Sequence, residues 1–221
     1  MLYFTHKLLD ETKAKDLAKR LMMSNEWVDG KEASAKGSTV KKNLQLNTGT
    51  EQHSKFSTEI INTIDNDYRI KNYSFPAKIH NILFSRTGAG MFYGPHIDIP
   101  CVTSGRRDLS FTIFLNDRQN YKGGDLILYI SPEKKQIKLN PGEMIIYPTK
   151  YLHEVKEVTE GERMVCVGWI ESQIPRDDDR ESLSLMKAGI SEITKQLGNN
   201  ATPAIQNLNV SFNNIYKRFL S

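Results

Sequence analysis

The chain has few of the features that mark secreted, zinc-binding or membrane-spanning proteins. Only two of its 221 residues are cysteines, Cys101 and Cys166, which excludes a disulfide framework and a four-cysteine zinc site. Such sparse cysteine usage is typical of a reducing compartment, so we predict a cytoplasmic location. The longest apolar runs, such as Leu126–Ile130, fall far short of the roughly 18 residues that a membrane helix needs. No membrane partner is expected.

The sequence also lacks a strong charge of either sign. Thirty Lys and Arg residues oppose 26 Asp and Glu residues, for a formal net charge of +4, and the two signs are interleaved. This mild basicity does not indicate a nucleic-acid partner. The length predicts one domain, or one domain with a modest appendage. A monomer and a homodimer both remain open.

Helical patterns flank a central region of short strands. We predict an N-terminal helical and loop segment over 1–72, a β-core over 73–175 and a C-terminal helical segment over 176–221. No helical pattern separates the predicted strands, which favours an antiparallel sandwich or barrel over alternating βαβ units. The predicted strands are 79–85, 92–97, 109–116, 125–130, 136–139, 143–147, 152–158 and 163–171.

A histidine and an aspartate stand two residues apart on a predicted strand, at His96 and Asp98. Side chains at positions i and i+2 of a strand share a face, so this imidazole and carboxylate converge while Ile97 points into the opposite layer. The pair either supplies two metal ligands or forms a structural salt bridge. The spacing alone leaves both interpretations open.

A third ligand is available on a later strand. His153 follows Asp98 by 55 residues, and an antiparallel double sheet can return the chain to a neighbouring strand over such a distance. We expect His6 and His53 to be solvated and His80 to be structural. Two imidazoles and one carboxylate are the ligand set of the facial triad in non-haem Fe(II) oxygenases, which leaves open coordination positions.

A cation lies at a suitable distance along the chain to hold an anionic co-substrate. Arg163 is ten residues after His153, on the next predicted strand, and the interval 154–162 contains Gly161 and fits a hairpin. A planar guanidinium grips a carboxylate through two parallel hydrogen bonds, which a lysine does not match. Arg163 is therefore a candidate to bind the far carboxylate of a dicarboxylic co-substrate.

The order and spacing of these motifs resemble a known family. The segments FSRTGAGMFYGPHIDIP, GRRDLSFTIFLND, YKGGDLIL, LNPGEMIIYPTKYLHEV and GERMVCVGWIES are similar to the bacterial PKHD-type hydroxylases, a branch of the prolyl-4-hydroxylase-like Fe(II)/2-oxoglutarate dioxygenases. WVDGKEASA and VKKNLQL near the start, and QNLNVSFNNIYKRFL at the end, also resemble that family, so the likeness covers nearly the whole chain. It implies a mainly β (α+β) fold, with a double-stranded β-helix (jelly roll) core, N-terminal helices and a C-terminal helical appendage.

The resemblance also implies an activity and its residues. The iron ligands of the family, which form its catalytic centre, fall on His96, Asp98 and His153, and its 2-oxoglutarate arginine falls on Arg163. The implied cofactors are Fe(II), 2-oxoglutarate and O2, with ascorbate as reductant. The implied reaction hydroxylates a prime substrate and releases succinate and CO2. A peptidyl amino acid, a free amino acid and a small metabolite remain open as that substrate.

Further positions are candidates for co-substrate or substrate contact. Thr87 stands where the family usually carries a tyrosine that contacts 2-oxoglutarate, and Tyr93 matches the family pattern and is expected to line the co-substrate pocket. Arg106 and Arg107 follow the loop 99–105 and either contact substrate or form a solvated loop tip. The polar run 41–45 forms either a substrate-facing strand or a solvated edge.

Two functions of other classes remain open at this stage. One is a non-catalytic jelly-roll module that binds or senses metal and 2-oxoglutarate, for which the shorter side chain of Thr87 leaves room. Such a module would bind 2-oxoglutarate without forming succinate. The other is a cupin-like metal hydrolase, which needs no dicarboxylate and would keep its activity in Arg163→Ala.

Overall fold

The computed structural model describes residues 2–31, 40–197 and 203–220. Within these ranges no helix is long and apolar enough to cross a membrane. Side chains of Asp10, Thr50 and Asp67 accept backbone N–H bonds at the starts of the first three helices, as N-cap residues do. The helices are α1 (Glu11–Met22), α2 (Glu51–Asp65), α3 (Tyr68–Ser74), α4 (Asp177–Leu197) and α5 (Pro203–Tyr216).

Short strands make up most of the region between α3 and α4. The strands pair in antiparallel fashion, and most of the paired strands are distant from each other in sequence. The strands are β1 (Phe4–Lys7), β2 (Trp27–Asp29), β3 (Lys41–Lys42), β4 (Leu44–Leu46), β5 (Pro76–Gly88), β6 (Met91–His96), β7 (Cys101–Val102), β8 (Gly105–Arg106), β9 (Leu109–Phe114), β10 (Tyr121–Gly123), β11 (Leu126–Ile130), β12 (Glu133–Ile137), β13 (Glu143–Pro148) and β14 (Leu152–Ser172).

Two half-sheets face each other and share one long strand. The first has the order β1-β13-β9-β14-β5-β4-β2, and the second places β11 and β6 on either side of the first part of β14, with β12 and β3 at its edges. All of these pairs are antiparallel. This arrangement is the predicted jelly roll, with the cavity between the two half-sheets.

The shared strand β14 corrects one prediction. The interval 154–162 does not form a hairpin, because β14 runs without interruption from Leu152 to Ser172. Gly161 has a φ of +73°, and a Cβ there would lie 2.1 Å from the carbonyl oxygen of Asn120. The glycine therefore permits a bend rather than a reversal, and the strand leaves the second half-sheet and enters the first.

Residues before the β-core contribute strands to it. The N-terminal segment was predicted as helix and loop with one extended piece, but β1 extends the first half-sheet beside β13, and β2 and β4 extend its other edge. Helices α1 and α2 cover the outer face of this half-sheet with buried residues such as Leu17, Leu21 and Ile60. The apolar faces of these two amphipathic helices thus complete one side of the core.

The C-terminal helices form a separate small cluster on the same body. Phe212 of α5 is buried against Phe75 and Ile174, with Ile215 and Phe219 partly buried beside it. Phe75 stacks on Phe212 with ring centroids 6.3 Å apart. The apolar stripe of α5 therefore packs inside the protein.

Two histidines differ from expectation because each has a specific partner. His53 is buried and its Nε2 lies 2.8 Å from the carbonyl oxygen of Ile82, so it joins α2 to β5 instead of facing water. His6 lies 2.6 Å from the carboxylate of Asp67. His80 is buried and hydrogen-bonded, which is the structural role predicted for it.

Candidate active site

Three side chains from distant parts of the chain meet between the half-sheets. The candidate ligand atoms of His96, Asp98 and His153 all lie within 4.8 Å of one another. His96 ends β6, His153 lies near the start of β14, and the two are paired across the ladder, so their side chains share one face. The Nε2 atoms of the two imidazoles lie 3.7 and 3.8 Å from the carboxylate oxygens of Asp98.

These distances suit a shared cation better than direct hydrogen bonds. They exceed the 2.7–3.2 Å range of a hydrogen bond, whereas two atoms that each ligate one ion at about 2 Å are separated by no more than about 4 Å. The simple alternative, a structural His–Asp salt bridge, would bring Asp98 closer to one imidazole. The carboxylate instead lies between both histidines at nearly equal distance.

Backbone hydrogen bonds orient both imidazoles for ligation. The Nδ1 of His96 lies 2.9 Å from the carbonyl oxygen of Gly94, and the Nδ1 of His153 lies 2.9 Å from that of Tyr151. A carbonyl only accepts, so each Nδ1 donates, which leaves Nε2 of the neutral ring as the atom that can bind a metal. Burial lowers the pKa of His96 to about 4, with a further contribution from His153, and the ring is neutral at pH 7.

The carboxylate of Asp98 is held from the opposite side. Its Oδ2 accepts hydrogen bonds from Ser110 Oγ at 2.9 Å and from Trp169 Nε1 at 3.0 Å. The hydroxyl of Ser110 is also within 3.0 Å of Thr149 Oγ1. Donors of this kind fix a ligating carboxylate and leave its Oδ1 free for an ion. The sequence does not point to Ser110 or Trp169 as supporting residues, because neither residue type signals metal support by itself.

Arg163 is buried at the other end of the cavity without a carboxylate partner. It is 2% exposed, and no ion pair to it occurs among the described residues. Its Nε atom is buried and makes no hydrogen bond to any described residue, and its guanidinium lies 5.3 Å from the ring centroid of Phe114. Burial lowers the pKa of Arg163, although a guanidinium stays charged at any physiological pH. A buried, unpaired cation of this kind is costly unless an anion joins it.

One cavity of about 370 Å³ connects the triad with Arg163. Thr87, the cross-strand neighbour of Arg163 on β5, is buried and lines it. Tyr93 lines it too, with its ring stacked on His96 at a centroid distance of 3.6 Å. Burial raises the pKa of Tyr93, so its hydroxyl stays protonated. Aliphatic side chains form part of the wall between these polar groups: Leu83, Leu126, Val155, Val165 and Val167.

The two neighbouring arginines have different environments. Arg106 is engaged by Asp108 and Glu171 at 3.2 and 3.0 Å and does not line the cavity. Arg107 lines it and lies 3.8 Å from the ring centroid of Trp169, and its buried Nε has no hydrogen-bond partner in the part of the chain that the structure describes. Of the predicted substrate-contacting pair, only Arg107 faces the cavity.

Two further features of the cavity wall bear on the sequence interpretation. Ile97 does not point into an opposite layer: β6 ends at His96, and Ile97 is exposed at the cavity rim together with Ile99. The run 41–45 divides by alternation, since Lys41, Asn43 and Gln45 line the cavity while Lys42 is exposed.

Comparisons with known proteins agree with this geometry. Residues 82–171 match the model of the 2OG-Fe(II) oxygenase superfamily. The chain is 43% identical over 201 residues to a PKHD-type hydroxylase of Prochlorococcus marinus strain MIT 9301, covering 90% of each protein. It is 41% identical over 219 residues to a PKHD-type hydroxylase of strain MIT 9515, covering 98% of each.

Solved structures share the fold at low sequence identity. A Pseudomonas putida prolyl-4-hydroxylase superposes with a TM-score of 0.57 at 17% identity, covering 77% of this chain and 92% of that one. A Trichoplax adhaerens prolyl hydroxylase, solved with a hypoxia inducible factor peptide, gives 0.60 at 16% identity, covering 83% and 87%. These structures support the jelly-roll fold. With relatives above 40% identity over nearly its whole length, the chain belongs to the PKHD-type hydroxylases of the 2-oxoglutarate/Fe(II) oxygenase superfamily.

Proposed function

We propose that this protein, an Fe(II)- and 2-oxoglutarate-dependent dioxygenase that acts as a hydroxylase, uses His96, Asp98 and His153 to hold iron and Arg163 to hold the distal carboxylate of 2-oxoglutarate. One observation carries the assignment. A triad whose two Nε2 atoms lie 3.7 and 3.8 Å from the Asp98 carboxylate shares a cavity with a buried guanidinium that has no ion-pair partner among the described residues. The donor set of two imidazoles and one carboxylate is the one expected for non-haem Fe(II).

Bound iron, 2-oxoglutarate and O2 together supply the oxidising power, with one oxygen atom going to the substrate and the other to succinate as CO2 leaves. The protein supplies binding and orientation. Hydrogen bonds from Ser110 and Trp169 keep Asp98 aimed at the ion. The aliphatic walls formed by Val155, Val165 and their neighbours limit water around the reacting groups.

Thr87 and Tyr93 complete the proposed co-substrate pocket. Thr87 lies across the ladder from Arg163, and its hydroxyl has no hydrogen-bond partner among the described residues. The position suits a hydrogen bond to the same carboxylate that Arg163 grips. Tyr93 holds the imidazole of His96 by stacking, which restricts the rotation of that ligand.

Three further attributes belong to the proposal. Ascorbate is the proposed reductant that returns iron to Fe(II) after turnovers without substrate. The proposed location is the cytoplasm, supported by the free cysteines Cys101, which is exposed, and Cys166. The proposed assembly is a monomer, supported by the inward packing of Phe212 and Phe219 on α5 and the turn after it.

The test is succinate formation by purified protein with Fe(II), ascorbate and 2-oxoglutarate. Wild type forms succinate slowly without added substrate, and Asp98→Asn forms none because it loses the negative ligand. Asp178→Asn, in an exposed carboxylate on α4, is the matched control and retains the wild-type rate. A wild type that binds 2-oxoglutarate but forms no succinate is instead a binding or sensing module.

A further inference from the structure

A second buried cation lines the cavity on its opposite flank. Lys41 is 5% exposed, and within the described part of the chain its ammonium makes no hydrogen bond and no ion pair. Its Nζ lies 5.2 Å from the ring centroid of Tyr93, which itself stacks on His96. Burial lowers the pKa of Lys41 to about 8, against the opposing effect of Asp98, so most of the population is charged at pH 7.

The position of Lys41 separates it from the co-substrate arginine. Lys41 is on β3 opposite Tyr93 of β6, and Tyr93 is in turn opposite Val155 of β14, eight residues before Arg163. Neighbouring strands are about 4.8 Å apart, so about 10 Å separates β3 from β14 at this level. Arg163 has Tyr121, Tyr147 and Asp125 as its electrostatic neighbours, whereas Lys41 has Asp98 and Asp29.

The charges of the proposed complex leave Lys41 without an anion. Among the groups that line the cavity or bind in it, the charges of Fe(II), Asp98, the two carboxylates of 2-oxoglutarate and Arg163 sum to zero. Asp29, the other acidic neighbour of Lys41, is exposed and does not line the cavity. Lys41 and Arg107 remain as positive groups on the cavity wall, neither with a carboxylate partner among the described residues. A buried cation without an anion is unfavourable, so its retention in a cavity that binds ligands indicates a ligand that brings negative charge.

The remaining surface limits what else that ligand carries. Val155 and Val167 line the inner wall, and Ile97 and Ile99 are exposed at the rim. Gln45, buried two strands from β14, adds one amide that makes no hydrogen bond within the described residues. Asn43 and Tyr93 also line the cavity, so its wall combines apolar side chains with a few polar groups, as in a site for a small organic molecule.

Resting on the function proposed above, we infer that Lys41 binds a carboxylate of the prime substrate, and that an apolar group of the substrate lies next to this carboxylate. The carboxylate has two possible sources, a free amino acid or the C-terminus of a peptide. Both present the same group to the ammonium, and they differ in what lies beyond it.

The test measures binding apart from turnover. Protein loaded with Mn(II) and N-oxalylglycine, which occupy the metal and co-substrate sites, is titrated calorimetrically with aliphatic L-amino acids and their amides. N-acetylated tripeptides with free or amidated C-termini form the second arm. In one of the two series of probes, we expect the acids to bind at least tenfold more tightly than their amides, because the amides lose a charge-assisted hydrogen bond.

Variants of neighbouring lysines identify the cation responsible. In Lys41→Gln the preference for acid over amide falls to about one, whereas Lys42→Gln, with its exposed side chain on the same strand, retains it. Lys41→Met provides a second variant whose melting temperature is expected to rise, because it removes an unpaired buried charge. This rise rules out misfolding as the cause of lost binding.

Four results overturn the inference. They are equal binding of acids and amides, no binding by any probe, an equal loss in Lys42→Gln, and weaker binding of N-oxalylglycine in Lys41→Gln, which would assign the ammonium to the co-substrate. Succinate formation by wild type without substrate, measured in parallel, tests the dioxygenase function separately. Its absence refutes that function while the calorimetric result still decides the role of Lys41.

Discussion

Replacing Arg163 by methionine separates binding from stability. The guanidinium is 2% exposed and has no anionic partner among the described residues, so its burial is a cost in the free protein. A cation–π contact, in which the guanidinium carbon lies 5.3 Å from the ring centroid of Phe114, offsets part of that cost. Methionine has a similar length and no charge. We expect Arg163→Met to raise the free energy of unfolding of the metal-free protein by about 1–3 kcal/mol.

Arg163→Met also removes the two hydrogen bonds that we propose between Arg163 and the distal carboxylate of 2-oxoglutarate. Two parallel charge-assisted hydrogen bonds contribute at least about 3 kcal/mol, which corresponds to a loss of about a hundredfold in affinity. Urea unfolding measures the stability, and the KM for 2-oxoglutarate in succinate formation measures the binding. Arg86→Met is the matched control, since Arg86 pairs with Glu162 at the surface and its loss costs about 1 kcal/mol or less.

A different pattern would refute this reasoning. If Arg163→Met unfolds at lower urea and keeps its KM, the guanidinium is a structural group that another partner satisfies. If both Arg163→Met and Arg86→Met raise the KM equally, the effect comes from the β5–β14 ladder that carries both residues, rather than from a carboxylate site.

Three other changes have expected outcomes. Trp169→Phe removes one of two hydrogen bonds to Asp98 and should weaken Fe(II) binding about tenfold in a metal titration, whereas unchanged affinity would show that Ser110 suffices. Because burial lowers the pKa of Lys41 to about 8, its burial cost is fully present below pH 8 and disappears as the pH rises towards 10.5. The free energy of unfolding of metal-free Lys41→Met, measured in urea, should therefore exceed that of wild type by up to about 3 kcal/mol at pH 7. This difference should be lost by pH 10. Gly161→Ala should lower the free energy of unfolding by more than about 1 kcal/mol, because φ is +73° and its Cβ would lie 2.1 Å from a carbonyl oxygen; equal stability in thermal denaturation would contradict this.

The sequence predicts the order of elements and the convergence of the triad for a physical reason. Alternation along a strand places His96 and Asp98 together, and burial keeps strand register fixed, so a distant His153 can be brought to the same face. The packing of Phe212 and the capping of α1 by Asp10 likewise depend on helical periodicity and local hydrogen bonding. Because these signals are local or periodic, they can be read from the sequence without the structure.

The errors arise where tertiary contacts override local patterns. Gly161 is a turn signal by type, yet its positive φ bends one strand because Asn120 and Tyr121 lie against it. Ile97 faces the rim because β6 ends one residue earlier than alternation assumed. Polar pairs such as His53 with Ile82 depend on packing between α2 and β5, which no local pattern contains.

The supporting residues of the site were harder to identify. Trp169 is an ordinary core residue by type, and only the structure brings its Nε1 within 3.0 Å of Asp98. Lys41 and Lys42 are indistinguishable as a charged pair in the sequence, and the side of the strand on which each lies decides that one lines the cavity and the other is exposed. The charge of a side chain can be read from the sequence, but its burial cannot.

The central claim is that one metal held by His96, Asp98 and His153 couples 2-oxoglutarate to O2. The most direct test follows 2-oxoglutarate, succinate and CO2 together in purified protein with and without Fe(II), beside the variant His153→Gln. We expect equal amounts of succinate and CO2 to form per 2-oxoglutarate consumed, only with Fe(II) and only in the wild type. Iron-independent succinate, or wild-type rates in His153→Gln, would contradict it.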